Sequence, residues 1–290
     1  MSKLAQRFFI FFLGVPAVAA LVLLPTWLNH LALNLVVVLF SSLGAVEFSA
    51  MLARKNLRIS KPEAAVLGAL PPATAVLFVT MNTDPALPVL AALIVGVSWL
   101  LLSRVFSGGE KLDGFVNAVA AGVSALVYPG LLMVGLVGMT RWENAGPIII
   151  TFLIMVFGGD SLAWASGMLF GKGNRGVVPA SPNKSVAGFA GGIVGPIIVG
   201  VGAVLILPEV FVPARGAFQG VPAAAGAVLG LFAGCAAVLG DLAESAFKRS
   251  SGVKDSGSFV IGRGGVLDSI DSVALAAPVF YIGFLLLFAA

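Results

Sequence analysis

The chain has 290 residues, of which 59% are hydrophobic and only 10% charged, with a mean hydropathy of +1.06. A soluble domain carries roughly 45–50% apolar and about 25% charged residues, so the composition excludes one, and it excludes a disordered chain too. Cys235 is the single cysteine, which rules out an intrachain disulfide scaffold. What remains is an all-α, polytopic integral membrane protein.

A bilayer core about 30 Å thick needs roughly 20 apolar residues per helix. Such runs occupy nine segments: 8–28, 31–52, 64–81, 87–103, 115–139, 147–170, 186–207, 221–239 and 273–290. The first run follows Lys3 and Arg7 and contains Ala17-Val18-Ala19, which mimics a signal-peptidase site. Its apolar stretch outlasts the roughly 7–15 residues of a signal-peptide core, so an uncleaved first helix is expected. With a cytoplasmic N-terminus, 15 of the 17 Lys and Arg residues fall in cytoplasmic segments, leaving only Arg141 and Arg215 outside. That asymmetry satisfies the positive-inside rule. The net charge of +4 therefore reports topology, and no nucleic acid need be invoked. The expected organisation is about four spans over 1–114, then a catalytic region of about five spans over 115–290. Its cytoplasmic loops are 171–185 and 240–272. The expected location is the cell membrane.

Most carboxylates fall in loops, where solvation explains them. Glu47 and Asp160 instead lie inside apolar runs, where an ionisable group is costly and faces a polar cavity or a cation. Glu47 is about two turns from Arg54-Lys55, close enough to snorkel to the cytoplasmic interface. Charge is densest over 240–271, which holds five of the thirteen acids and four cations. If the eighth span continues as helix past Leu239, then Asp241, Glu244, Ser245 and Lys248 share one face. Asp268 and Asp271 likewise share a face where the ninth span begins. Two such acidic faces suit an all-oxygen site for Mg²⁺, which takes one or two carboxylates plus substrate phosphates. Lys248, Arg249 and Lys254 would neutralise phosphate oxygens, and Gly262, Gly264 and Gly265 would let backbone N–H groups approach an anion. The competing reading is a solvated basic loop whose aspartates cap helices. One histidine, His30, a single cysteine and no Walker sequence argue against zinc and P-loop chemistry.

These residues resemble a known signature. Ser245-Ala-Phe-Lys-Arg, then Lys254-Asp255-Ser-Gly, then Gly-x-Gly-Gly-x-Leu-Asp-x-Ile-Asp is similar to the pattern of phosphatidate cytidylyltransferases, the CDP-diacylglycerol synthases. Ser181-Pro182-Asn183-Lys184-Ser185 with Gly188-Phe189 and Gly191-Gly192 resembles that family's Ser-Pro-Lys-Lys-Thr-x-Glu-Gly-Phe-x-Gly-Gly block. Asp160-Ser161, Ala163-Trp164 and Phe170-Gly171-Lys172 resemble its Asp-Thr-x-Ala-Tyr and Phe-Gly-Lys block. The matching blocks occupy the C-terminal half; the N-terminal half agrees only in hydropathy.

The resemblance implies transfer of a cytidylyl group from CTP to phosphatidate at the cytoplasmic membrane face, with Mg²⁺ as cofactor. A second, monovalent cation and a homodimer stay open, and membrane lipids are the surrounding partners. Carried over by position, Asp241 and Asp268 are the metal aspartates, with Glu244 as a further metal ligand on the helix face of Asp241. Asp271 is a supporting acid, and Lys184, Lys248, Arg249 and Lys254 are phosphate contacts. Ser181 and Ser185 line the substrate cleft with Asp160, Gly264 and Gly265. Three positions depart from the family pattern: Ala187 replaces a Glu, Arg263 a His, and Ser269 an Arg. Losing a cation between Asp268 and Asp271 raises their repulsion, and Arg263 is the expected replacement. The alternatives are a CTP-dependent lipid kinase and an inactive or transporting homologue.

Overall fold

The computed structural model describes residues 13–105, 112–213, 218–260 and 264–288. Regular structure among them is helical: α1 Val15–Leu23, α2 Trp27–Ala53, α3 Lys61–Thr80, α4 Ala86–Leu102, α5 Phe115–Ala125, α6 Val134–Met139, α7 Ala145–Phe170, α8 Val186–Ile206, α9 Pro222–Ser250 and α10 Leu267–Leu287. Seven helical stretches in the described residues are long and apolar enough to cross a membrane, counting Phe115–Met139 as one, and α4 is a shorter apolar helix. The protein is an all-α polytopic membrane protein. The expected run over 8–28 begins outside the described residues. Its described part is α1, which stops ahead of Pro25 because proline lacks an N–H and pushes its predecessor out of the helical region.

The described residues group into two compact units, one of residues 1–141 with 247–270, the other of 142–246 with 271–290. In the first unit α5 and its continuation pack with α2, α3 and α4, and α2 also holds the segment leading into α10. Pro129 opens the continuation of α5 into a π-helical turn, Leu126–Gly130, as expected where a ring displaces the i−4 carbonyl. Glycine lets α2 and α3 approach closely, since a Cβ on Gly68 would overlap Ala45 and the Ser41 carbonyl. Phe48 of α2 stacks edge-on with Phe247, ring centroids 4.8 Å apart, and lies 5.2 Å from Tyr128.

The second unit is built from α7, α8, most of α9 and most of α10. Without a hydrophobic drive between helices inside lipid, association relies on close packing of small residues. Gly200 of α8 and Gly226 of α9 each sit where the other's backbone carbonyl would meet a Cβ, and Gly230 meets the Pro196 carbonyl in the same way. Aromatic rings seal α7 against α10: Phe152 and Phe280 lie 5.1 Å apart. Trp142, just before α7, stacks on Tyr281 at 5.1 Å with planes 7° apart.

Helix α9 has 29 residues, about 44 Å at 1.5 Å per residue, and so exceeds a bilayer core. The expected helical extension past Leu239 is therefore present, and it carries Asp241, Glu244, Ser245 and Lys248.

Candidate active site

In the second unit, the C-terminal part of α7, the start of α8 and the later turns of α9 enclose a cleft of about 410 Å³. Asp160, Trp164, Arg175, Lys184, Phe189 and Asp241 line it. The local sequence dictates how Lys184 arrives there. The Ser181 carbonyl accepts the Lys184 N–H at 3.1 Å, closing a turn. Ser185 then caps α8, its Oγ accepting the Gly188 N–H at 3.0 Å. That cap fixes Lys184 immediately before the helix, where its ammonium pairs with the Asp241 carboxylate and lies 5.9 Å from the Phe189 ring centroid. Both partners remain 29% exposed, so solvent can reach them. Gly171 is required beside this cap, because a Cβ there would overlap Ser185 Oγ and the Gly167 carbonyl.

In the first unit a second polar group forms where α10 begins. Lys248 donates to Asp268 Oδ1 at 2.7 Å. Asp268 Oδ2 accepts from the Gly265 N–H at 2.7 Å, and from the Ser256 N–H and Oγ at 2.9 Å each. Glu47 of α2 completes the group: Oε1 accepts the Val266 N–H at 3.0 Å, and Oε2 accepts the Leu267 N–H at 2.9 Å and Ser256 Oγ at 3.1 Å. The positive end of the α10 dipole thus faces two carboxylates. The Lys248–Asp268 pair is deeply placed, its side chains only 12% and 7% exposed.

Of the sequence-predicted residues, Asp160, Lys184, Ser185 and Asp241 meet in the cleft, with Ser185 acting as a helix cap. Ser181 shapes the turn and is not among the cleft-lining residues. Glu244, expected beside Asp241 at a metal, is fully buried and does not line the cleft. Three residues along an α-helix fall about 60° short of a full turn, enough to rotate Glu244 off the Asp241 face and inward. Asp271 Oδ1 accepts its neighbour's N–H, from Ser272 at 2.6 Å. Lys254 and Arg249 are exposed, and Arg249 donates to the Val253 carbonyl at 3.2 Å.

Gly264 and Gly265, expected to approach a substrate anion, approach a carboxylate of the chain itself. Gly265 gives its N–H to Asp268, and Gly264, at φ +114°, leaves no room for a Cβ against Asp268 Oδ2. Arg263 lies outside the described residues. Among the described residues Lys248 is the cation paired with Asp268. Glu47 does not snorkel toward Arg54; its carboxylate caps α10.

Sequence reasoning missed two residues, Arg175 and Ser256, and the partners of a third, Glu47. Arg175 could have been found as the cation of a Gly-Asn-Arg-Gly turn inside the basic 171–185 loop. Ser256 sits in the quoted Lys-Asp-Ser-Gly block, yet no spacing rule marked its hydroxyl. Glu47 was visible as a lone acid in an apolar run, but its partners lie more than 200 residues away.

The sequence is similar to that of known proteins. The chain is 38% identical over 147 residues to phosphatidate cytidylyltransferase of Pseudomonas aeruginosa, a match covering 50% of each chain. It is 40% identical over 136 residues to that of Haemophilus influenzae, covering 46% of this chain and 44% of the other. For that of Staphylococcus saprophyticus the values are 32% over 189 residues, 65% and 67%. The match thus spans about half the length of the first two relatives. A model of the cytidylyltransferase family aligns with residues 5–287, nearly the whole sequence and both polar groups. The chain belongs to the cytidylyltransferase family.

Proposed function

We propose that the protein transfers the cytidylyl group of CTP to phosphatidate, giving CDP-diacylglycerol and pyrophosphate, with its active site at the cytoplasmic face of a cell membrane. The observation that carries this reading is the cleft in which Lys184 and Asp241 meet beside Asp160 and Arg175, on helices long and apolar enough to span a bilayer. The family and the relatives named phosphatidate cytidylyltransferase support it. The cytoplasmic orientation is supported by the 15-to-2 division of cations.

In this reaction a phosphate oxygen of phosphatidate forms a bond to the α-phosphorus of CTP. The bond from that phosphorus to the α–β bridging oxygen breaks, and the electron pair leaves with pyrophosphate. Both substrates are polyanions, so catalysis is mostly positioning and charge stabilisation. Arg175 offers a planar fork for two phosphate oxygens. Lys184, poised on Asp241, would exchange that carboxylate for phosphate as the nucleotide enters. Lys248 would hold Asp268 charged and oriented.

The proposed cofactor is Mg²⁺, for which carboxylate and phosphate oxygens are the suitable donors. Among the described residues no three His, Cys, Asp or Glu side chains cluster closely enough to cage a metal. Mg²⁺ typically needs only one or two carboxylates when phosphates complete its shell. Asp241 and Asp268 are each paired with a lysine ammonium, which would turn to substrate phosphate when the ion takes the carboxylate. Asp241 would hold the ion in the cleft of the second unit, with substrate phosphates completing its shell, and the resemblance gives Asp268 a metal-binding role within its own polar group. When bound, Mg²⁺ neutralises phosphate charge and polarises the α-phosphorus.

The test is incubation of purified protein in detergent with CTP, phosphatidate and Mg²⁺, following lipid product and pyrophosphate together. Equal yields of CDP-diacylglycerol and pyrophosphate are expected. CDP with a doubly phosphorylated lipid would identify a kinase, and no turnover an inactive homologue.

A further inference from the structure

Glu47 lies in α2, within an apolar stretch whose only carboxylate it is. An acid at such depth is costly and persists where it has defined partners. Here the partners belong to the start of α10. The Val266 and Leu267 N–H groups are among the helix-terminal donors that have no intrahelical acceptor, and Glu47 takes both. The packing around it is specific: a Cβ on Gly257 would overlap Glu47 Oε1, and one on Gly265 would overlap Oε2.

The hydroxyl of Ser256 is the informative atom. It carries one proton, yet it lies 3.1 Å from Glu47 Oε2 and 2.9 Å from Asp268 Oδ2, while accepting the Asp268 N–H at 3.3 Å. Two carboxylates therefore share one donor. The Gly265 and Ser256 donors also converge on Oδ2 of Asp268, and this leaves Oδ1 as the oxygen presented to the Lys248 ammonium. Which oxygen Asp268 presents is thus set by the group that Glu47 assembles.

We propose that Glu47 is a positioning residue for Asp268, acting through the shared Ser256 hydroxyl and the capped amides of α10. This rests on the reading that Asp268 serves cytidylyl transfer. Glu47→Gln keeps one acceptor oxygen for Val266 but turns an NH₂ toward donors at Leu267 and Ser256. Partners of metal-binding side chains typically contribute about 10- to 100-fold to affinity or activity, and a kcat loss of that size is expected, with KM for CTP within about 3-fold of the wild type. The loss should fall on kcat because the CTP cleft residues Lys184 and Arg175 are untouched. Ser256→Ala should lower kcat less, and adding it to Glu47→Gln should cost less than the product of the two single effects, since both act on one network. Amide hydrogen exchange, which needs no turnover, should quicken over 256–268 in Glu47→Gln and stay unchanged in α7 and α8.

Wild-type kcat in Glu47→Gln, strict multiplicativity with Ser256→Ala, or unchanged exchange over 256–268 would each overturn the proposal. Should Glu47→Gln not survive purification, Ser256→Ala alone decides, because it leaves the α10 cap in place and must still lower kcat. A wild-type protein that forms no product refutes the functional reading instead, while the exchange measurement still decides the coupling. Active wild type, inactive Asp268→Asn and an indifferent Glu47→Gln would leave the function standing and remove Glu47 from it.

Discussion

Lys184 and Lys248 each neutralise an aspartate, but their surroundings predict opposite consequences of losing the ammonium. Lys184 and Asp241 are both 29% exposed in an open cleft. Water can re-solvate Asp241 in Lys184→Met, so the stability cost should stay below about 1 kcal/mol, as for exposed pairs. The same substitution removes a charged donor from the phosphates. A hydrogen bond to a charged group contributes about 1.5–3 kcal/mol, which corresponds to a roughly 10- to 150-fold fall in kcat/KM. Lys248 and Asp268 are far less exposed, and Lys248→Met leaves a carboxylate with neutral donors alone. Removing one partner of a buried pair costs about 3–5 kcal/mol, and the low end applies because Ser256 and Gly265 still donate. Thermal melting in detergent, paired with CDP-diacylglycerol formation, separates the two. Lys184→Met should lose turnover at an unchanged midpoint, whereas Lys248→Met should lose both. A midpoint for Lys184→Met as low as that of Lys248→Met, or turnover near normal in Lys184→Met, would refute this reasoning.

Asp241→Asn and Asp268→Asn keep side-chain shape and remove charge. Each should lower turnover at least ~10²-fold, about 2.7 kcal/mol of transition-state stabilisation, in steady-state assays. Gly230→Val should destabilise the second unit by at least about 1–3 kcal/mol in detergent melting, because its Cβ would enter the Pro196 backbone, which cannot yield as a side chain can. In a Cys235→Ala background, an impermeant thiol reagent applied to intact cells should label Glu143→Cys and spare Lys254→Cys. The reverse labelling pattern would invert the topology.

Much of this was legible in the sequence because a bilayer imposes a length on every span. The runs from residue 31 onward became helices at nearly their expected bounds. In 8–28 the described part is interrupted at Pro25, a helix breaker that hydropathy does not register. Asp160, Lys184 and Asp241 converge as the motif blocks imply. Helical phase also predicted that Asp241 and Lys248 extend beyond the apolar part of α9. It failed at Glu244, since a shared face is a stripe of finite width and its inner edge is buried. The loop glycines were read as making room for a substrate anion. The structure shows that the first anions they accommodate are Glu47 and Asp268. No periodicity could reveal that link, because Glu47 and its partners are joined by tertiary contacts across the length of the chain.

The central claim is that the bond broken in CTP lies between the α-phosphorus and the bridging oxygen. Purified protein supplied with phosphatidate, Mg²⁺ and CTP labelled at either the α- or the γ-phosphorus tests it directly. The account predicts that α-label enters the lipid fraction while γ-label is recovered as pyrophosphate. Label from the γ-position in the lipid, or none from the α-position, would contradict it.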